Sequence, residues 1–231
     1  MIWVIIPALN EEKALPASLE KLLSQPGNYH TLVVDGGSMD RTCELVCAEP
    51  RAHLLSAPKG RASQMNAGAH YAWQLGCKPN DWLLFLHADT VLPEGALERL
   101  NGMEADQNCQ AGGFTHSFSG KDWRLRLVSW LDNVRCRRSR IIYGDQALFV
   151  RQALFKKISG FPNQPILEDV AFSEKLLRHV RPLLLTPPVV TDARKFVKMG
   201  IWRSAARAFV IILCVELRLP ISQRTFFQDI R

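Results

Sequence analysis

His87-Ala88-Asp89 follows directly on an apolar run, Trp82–Leu86. A carboxylate at the end of a strand can supply an oxygen ligand to Mg²⁺ or Mn²⁺, and such an ion neutralises charge as a diphosphate leaves. His87 offers a softer second contact, while the structural alternative makes Asp89 a cap for the helix after Pro93. A second acid opens Asp35-Gly36-Gly37-Ser38-Met39-Asp40-Arg41-Thr42. It can accept hydrogen bonds from a nucleobase or ribose, and Gly36 lets backbone approach a ligand closely. The alternative is an Asp-Gly turn with Asp40 capping the next helix. Lys59-Gly60-Arg61 places two cations around a glycine at a helix start, which suits phosphate or a plain basic turn. Leu167-Glu168-Asp169-Val170 puts two acids at another helix start. They either complement the helix dipole or present a general base to an acceptor hydroxyl.

The elements between these segments predict how they meet. Residues 2–6 form an apolar run of strand length. Asn10 is the expected N-cap of a helix running to Leu23, with Leu15, Leu19, Leu22 and Leu23 on one face. Thr31–Val34 reads as a second strand, followed by a helix to about Cys47. His53–Ser56 reads as a third strand, Ala62–Leu75 as a helix and Asp81–Leu86 as a fourth strand. This alternation predicts an α/β fold, a mainly parallel sheet flanked by helices. Ligands in such sheets collect at the carboxyl ends of the strands. Segments 7–12, 35–40, 57–61 and 87–90 are therefore expected on one rim. Beyond residue 110 the pattern is less regular. It predicts a half-buried strand at Gly112–Phe118, an amphipathic helix at Trp123–Asn133 and a turn plus strand within Ile141–Val150. Helices are expected at Leu167–Leu177 and Arg203–Leu217.

The net charge of +7 favours anionic partners without choosing among nucleotide phosphates, nucleic acid and acidic lipid. The six cysteines are scattered and form no CxxC, so they are expected to be reduced structural thiols, as in a cytosol. The first residues lack a basic n-region and meet Pro7 after a short apolar stretch, so they read as a buried strand and not a signal peptide. The apolar run Ala208–Val215 is bounded by Arg207 and Glu216, well short of the roughly 18 residues or more a spanning helix needs.

Taken together, the ordered motifs resemble the family 2 glycosyltransferases of GT-A fold. The likeness runs through residues 5–12, 34–42, 60–68, 84–90 and 144–150, then Gly160-Phe161-Pro162 and Leu167–Val170. It is strongest to a small bacterial subgroup associated with radical SAM and selenium-related gene neighbourhoods. The resemblance implies a single GT-A domain over 1–231. Its nucleotide-sugar half would span 1–110 and a smaller mixed acceptor-side half 111–231, ending in a C-terminal helix. It implies that Pro7, Ala8, Asn10 and Glu11 line the nucleotide pocket and that Asp35 meets the base, with Gly36 beside it. Gly60, Arg61 and Asn66 would lie near the ribose or diphosphate, His87 and Ala88 would adjoin the nucleotide, and Asp89 would bind the metal. Asp169, with Glu168 beside it, would be the base of an inverting transfer. His87 stands where the family's metal motif usually has its first acid. The family's polymer-making members carry transmembrane helices and a QxxRW-like motif, of which Gly200-Ile201-Trp202-Arg203 is a partial echo.

Two other readings fit parts of this pattern. A nucleotidyltransferase shares the layout and metal need but usually carries a Gly-rich signature after its first strand, where this chain has Pro7–Glu12. A non-catalytic nucleotide-sugar-binding protein would not need Glu168 and Asp169. Arg124, Arg126, Arg135, Arg137, Arg138 and Arg140, interleaved with Trp123 and Trp130, form a solvated basic face or a surface for acidic headgroups or an anionic acceptor. The 203–217 helix either packs or rests on a membrane surface. The expected partners are a nucleotide-sugar donor and an acceptor of open identity. No nucleic acid is expected, and the predicted place is the cytoplasm with peripheral contact at the inner face of the membrane. Oligomeric state is left open.

Overall fold

A computed structural model describes residues 1–103 and 109–216. The first half alternates as the apolar runs require: β1 (Ile2–Ala8), α1 (Leu15–Leu23), β2 (Tyr29–Asp35), α2 (Thr42–Cys47), β3 (Ala52–Ser56), α3 (Arg61–Gln74) and β4 (Trp82–Phe85). β1 is buried along its whole length because it is hydrogen-bonded in parallel to β2 on one side and β4 on the other. Helices then cover both of its faces, so every residue meets the core and the strand reads as continuous and not alternating. The chain continues through β5 (Thr90–Val91), α4 (Ala96–Gly102), β6 (Ala111–Phe118), α5 (Trp123–Ser139), a 3-10 turn (Gly144–Gln146), β7 (Phe149–Arg151) and α6 (Gln152–Lys157). It ends in α7 (Glu168–Leu177), β8 (Leu183–Thr191), α8 (Arg194–Lys198) and α9 (Ile201–Glu216).

The strands make one sheet in the order β3-β2-β1-β4-β7-β6-β8-β5. The first four are mutually parallel, β7 is antiparallel to both β4 and β6, and β6 and β8 are parallel. From β1 the chain steps outward to β2 and β3, then returns to the other side of β1 as β4. That reversal splays the loops after β1 and β4 apart, and the crevice between them is where an open α/β sheet takes its ligand. One core layer packs α1 and α4 on the sheet through Leu15, Leu19, Leu22, Leu97 and Leu100. The other packs α3, α6 and α7 through Met65, Ala69, Phe155 and Phe172. α3 lies so close to the sheet that a Cβ at Gly68 would come within 2.5 Å of Ile5 Cγ2.

The structure departs from the sequence expectations at several places. Asn10 does not cap a helix: its backbone is left-handed (φ 54°), and α1 begins only at Leu15. β8 was not foreseen, because Pro187 and Pro188 interrupt its apolar pattern and proline argues against a strand interior. Asp40 does bind the start of α2, accepting from the Thr42 amide at 3.0 Å. The expected last helix begins two residues earlier, at Ile201, and its expected end at Leu217 lies outside the described residues. The cysteines are free thiols. Burial pushes the Cys77 thiol up to about 12 and raises Cys136 as well, so both stay protonated and unreactive. Among the described residues no helix is long and apolar enough to cross a membrane.

Candidate functional site

A cleft of about 320 Å³ opens at the carboxyl ends of β1 and β4. Its walls are Pro7–Glu11 after β1, Lys59-Gly60-Arg61 and Gln64 at the start of α3, His87-Ala88-Asp89 after β4, and Pro165–Asp169 leading into α7. Of the residues singled out in the sequence, Pro7, Ala8, Asn10, Glu11, Gly60, Arg61, His87, Ala88, Asp89, Glu168 and Asp169 all line it. The segments are far apart in the chain and meet only because β1 and β4 are adjacent in the sheet.

Asp35, Gly36 and Asn66 do not line the cleft, and each has a physical reason. Asp35 is buried, and its carboxylate accepts from the amides of Gly37 (2.8 Å) and Ser38 (3.0 Å). Burial pushes that carboxyl up, but the Ser38 and Gly37 bonds outweigh it and hold the group below the usual carboxylate range. Gly36 is pressed against the Gln64 side chain: a Cβ there would sit 3.0 Å from it. The Asn66 side chain accepts from the Phe161 amide at 3.0 Å and donates to the Phe161 carbonyl at 2.9 Å. That clasp ties α3 to the segment ahead of α7.

The 35–42 loop instead builds the β1 wall. Ser38 Oγ accepts from the Asn10 amide (2.9 Å), Asn10 Oδ1 accepts from the Met39 amide (2.8 Å), and Thr42 Oγ1 accepts from the Glu11 amide (2.9 Å). Asp40 Oδ2 accepts from the Glu12 amide at 3.1 Å. These bonds satisfy the backbone of residues 10–12 outside any helix and fix the left-handed turn at Asn10, which costs about 1–3 kcal/mol where a non-glycine residue adopts it. Gln64 supports the same wall from below, donating to the carbonyls of Ala8 (2.8 Å) and Val34 (2.7 Å).

The opposite wall is pinned in a comparable way. The Ser18 hydroxyl of α1 donates to the Ala88 carbonyl, and the Asp89 carbonyl accepts from the Asp192 amide at 3.0 Å. Asp89 is partly exposed into the cleft. Leu167 precedes α7 in a left-handed conformation (φ 57°), a bend held by Gln164, which donates to the Ile166 and Leu167 carbonyls at 2.8 and 2.7 Å. Asp169 Oδ2 accepts from the Gly144 amide at 2.6 Å and Oδ1 from the Val170 amide at 2.8 Å. Gly144 is wedged between the two chemical groups: a Cβ there would lie 2.5 Å from His87 Nε2 and 3.3 Å from Asp169 Oδ2.

Sequence reasoning does not single out Gly144 or Gln64. Both lie in the segments that carry the family resemblance, 144–150 and 60–68, and only the fold shows what a side chain at Gly144 would strike. Leu9, Pro165, Ile166 and Leu167 also line the cleft, and no residue type marked them. Behind Asp169 lies Asp145, whose carboxyl is pushed up by burial and by the like charges of Asp132 and Asp169, against the pull of His116 and Arg135. His116 Nε2 is 3.8 Å from Asp145 Oδ2.

The fit to a divalent cation follows from this donor set. Among the described residues no group of three His, Cys, Asp or Glu could hold a metal. A single carboxylate nonetheless suits Mg²⁺ or Mn²⁺ where a phosphate ligand can enter the same cleft, because these ions take one or two carboxylates and complete their shell with phosphate oxygens and water. Asp89, with α3 directing its N-terminus and Arg61 into the same cleft, has that character.

Comparison with known proteins agrees with the geometry. The family model described as glycosyl transferase family 2 matches residues 3–158. The undecaprenyl-phosphate 4-deoxy-4-formamido-L-arabinose transferase of Yersinia enterocolitica is 34% identical over 110 residues, 43% of this chain and 32% of that protein. The 4,4'-diaponeurosporenoate glycosyltransferase of Staphylococcus haemolyticus is 38% identical over 102 residues, 43% of this chain and 27% of that protein. The matched part thus spans about a third or less of those relatives. Among solved structures, S. aureus TarS 1–349 in complex with UDP-GlcNAc superposes with a TM-score of 0.64 at 16% identity, covering 99% of this chain and 70% of that one. The mannosyltransferase PcManGT from Pyrobaculum calidifontis, in complex with GDP-Man and Mn²⁺, gives 0.62 at 21% identity, covering 96% and 65%. At such identities these neighbours show the fold, which is GT-A. The family match covers well over half of the sequence, and the chain belongs to glycosyl transferase family 2.

Proposed function

We propose that the protein is an inverting glycosyltransferase that moves a sugar from a nucleotide-diphosphate sugar to an acceptor hydroxyl, with a divalent cation at Asp89. The observation that carries this reading is one cleft holding Arg61 at a helix N-terminus, Asp89 and a clamped Asp169. The whole chain acts as one GT-A domain: 1–110 holds the donor and 111–231 shapes the acceptor side. The subgroup associated with radical SAM and selenium-related gene neighbourhoods remains part of this proposal, on the motifs named above. The neighbours' complexes with UDP-GlcNAc and with GDP-Man and Mn²⁺ support a nucleotide-sugar donor.

In this reading the backbone of Pro7–Glu11 bounds the nucleotide, and His87 faces it across the crevice. Arg61 and the amides at the start of α3 receive the diphosphate. Mg²⁺ or Mn²⁺ held by Asp89 would supply charge neutralisation to the leaving diphosphate. Asp169 takes the proton of the acceptor hydroxyl, and the acceptor oxygen forms a bond to the anomeric carbon. The bond from that carbon to the diphosphate oxygen breaks, and its electron pair leaves with the nucleoside diphosphate. Attack from the face opposite the leaving group inverts the configuration. The amides of Gly144 and Val170 hold the carboxylate in the orientation this requires. Two relatives are named for lipophilic acceptors, a polyprenyl phosphate and a carotenoid acid. They support a cytoplasmic protein in peripheral contact with the membrane.

Asp169→Asn tests the reading directly. Donor binding, measured by calorimetry, stays within about threefold, and turnover falls by about 10²- to 10⁴-fold, the range for loss of a general base. Full turnover in this variant removes the base assignment, and donor binding with no turnover in the wild type under any acceptor screen favours the non-catalytic alternative.

A further inference from the structure

α5 packs inward through only a few apolar side chains, Leu125 and Cys136 among them, and turns a longer apolar stripe to solvent. Its inward side carries polar work: Ser129 Oγ accepts from the Phe118 amide (3.2 Å), and Asn133 brackets the His116 backbone with two bonds of 2.8 Å. Asp132 and Arg135, also drawn inward, pair at 2.9 Å. Its outward side carries Trp123, Leu127, Trp130 and Leu131, spaced four, seven and eight residues on from the first, so they share one stripe. Trp123 is 64% exposed and Trp130 59%. An amphipathic helix in water normally does the reverse.

α9 repeats the arrangement. Trp202, Phe209, Val210 and Leu213 face outward, with Phe209 64% exposed. The helix is held to the body by a small cluster of Leu125, Ala193 and Ile201 with Phe118 and Phe196. Trp202 meets Trp123 edge to face, with centroids 6.0 Å apart, so the two stripes join into one apolar surface. Exposed apolar areas of this extent mark interaction sites.

The charge around the stripes selects the occupant. Arg126, Arg137 and Arg138 flank the α5 stripe and Arg203 borders that of α9, all exposed. Neither Trp123–Leu131 nor Trp202–Leu213 contains an acidic residue. Indole rings with a guanidinium border match the headgroup layer of a lipid bilayer, where the rings sit at the interface and the cations meet lipid phosphates. We infer that the joined outward faces of α5 and α9 dock the protein on an anionic phospholipid surface. This rests on the peripheral-membrane part of the reading above and is independent of its donor chemistry.

Co-sedimentation of the full chain with vesicles tests it. One set is phosphatidylcholine alone and the other includes phosphatidylglycerol. The wild type binds the anionic vesicles, releases in high salt, and shows a blue shift of its tryptophan emission on binding. The double variant Trp130→Ser/Phe209→Ser, checked for an unchanged melting temperature, partitions about tenfold or more weaker, because two interfacial rings are gone. Arg126→Glu/Arg137→Glu loses the preference for the anionic set. Nucleoside diphosphate affinity stays at the wild-type value in all variants, which keeps this test apart from the donor assignment. Wild-type failure to bind either vesicle set overturns both the surface and the membrane placement. Binding that the variants leave intact overturns the surface and spares the placement. Concentration-dependent dimerisation abolished by Trp130→Ser, without vesicle binding, assigns the face to a second copy and overturns the proposal.

Discussion

The two halves of the sheet hold their functional residues by different means. From β1 to β4 every strand is parallel: β2 pairs with its sequence neighbours β1 and β3, β4 returns beside β1 from about eighty residues away, and the rim loops are short segments that leave fixed strand ends. Beyond β4 the order becomes β7-β6-β8-β5, with β5 returning to pair with β8 from about a hundred residues away. The first half therefore presents the cleft from parallel strand ends, braced by the 35–42 loop and Gln64. The second half presents Asp169 through a chain of side-chain and amide contacts, from Gln164 to Leu167 and from Gly144 to the carboxylate. The first-half walls thus follow mainly from strand order, whereas the Asp169 wall depends on a left-handed bend at Leu167 and on one glycine amide.

That contrast can be broken most severely at the joint. Trp82 on β4 is fully buried, donates to the Leu100 carbonyl at 2.9 Å, packs edge-on against Phe149 and lies under the Arg151 guanidinium at 3.6 Å. Trp82→Ala is expected to cost about 3–5 kcal/mol, with both halves melting in a single urea transition. Two separated transitions would show the halves to be energetically independent. Gly144→Ala acts next, where the second half meets the loop after β4. Its methyl must displace the His87 ring, and turnover should fall about 10²-fold while the urea midpoint moves by no more than overpacking of about 1–3 kcal/mol allows.

Asn66→Ala removes the clasp on Phe161 and should lower stability by about 1–3 kcal/mol. Hydrogen exchange should quicken in 160–167 and stay unchanged in β1 and β2. Asp35→Asn probes the first half through pH. The folded-state pKa of Asp35 lies below its ordinary value, so its contribution is present above the unfolded value of about 3.9 and is lost as pH falls through the folded one. The variant should be less stable than wild type near neutrality, and the gap in melting temperature should close in acid. Smallest in structural terms is chelation. EDTA should weaken nucleoside diphosphate binding and Mn²⁺ or Mg²⁺ restore it, with no change in melting temperature of the nucleotide-free protein. Equal affinity with and without metal removes the role given to Asp89.

Most of the first half could be read from the chain because each buried parallel strand is a short apolar run followed by polar punctuation. The β1, α3 and β4 rim segments fell where topology put them. Finer detail was not legible. Asp35 and Asn66 have residue types that bind nucleotides equally well as they bind backbone; the Asp-Gly turn allowed for Gly37 and Ser38 as partners of Asp35, but nothing local to Asn66 points to Phe161. In the second half α5 was legible as a helix from Trp123, but β8 was hidden by its prolines, and the polar side that α5 turns toward the core was not visible. Both are set by partners distant in sequence, which periodicity does not register. The acidic pair at 168–169 was legible as a helix start, but its clamp was not, since the amide belongs to a glycine 25 residues away.

At Gly144 one stretch of backbone packs against the histidine of one wall and the carboxylate of the other, with no room for a side chain between them. In the proposed reading, a drift of the His87 loop to suit a bulkier donor would press on the Gly144 backbone that clamps Asp169. A lineage altering one preference would have to retune the other at the same time, so the pair of specificities should evolve in lockstep and not by independent exchange.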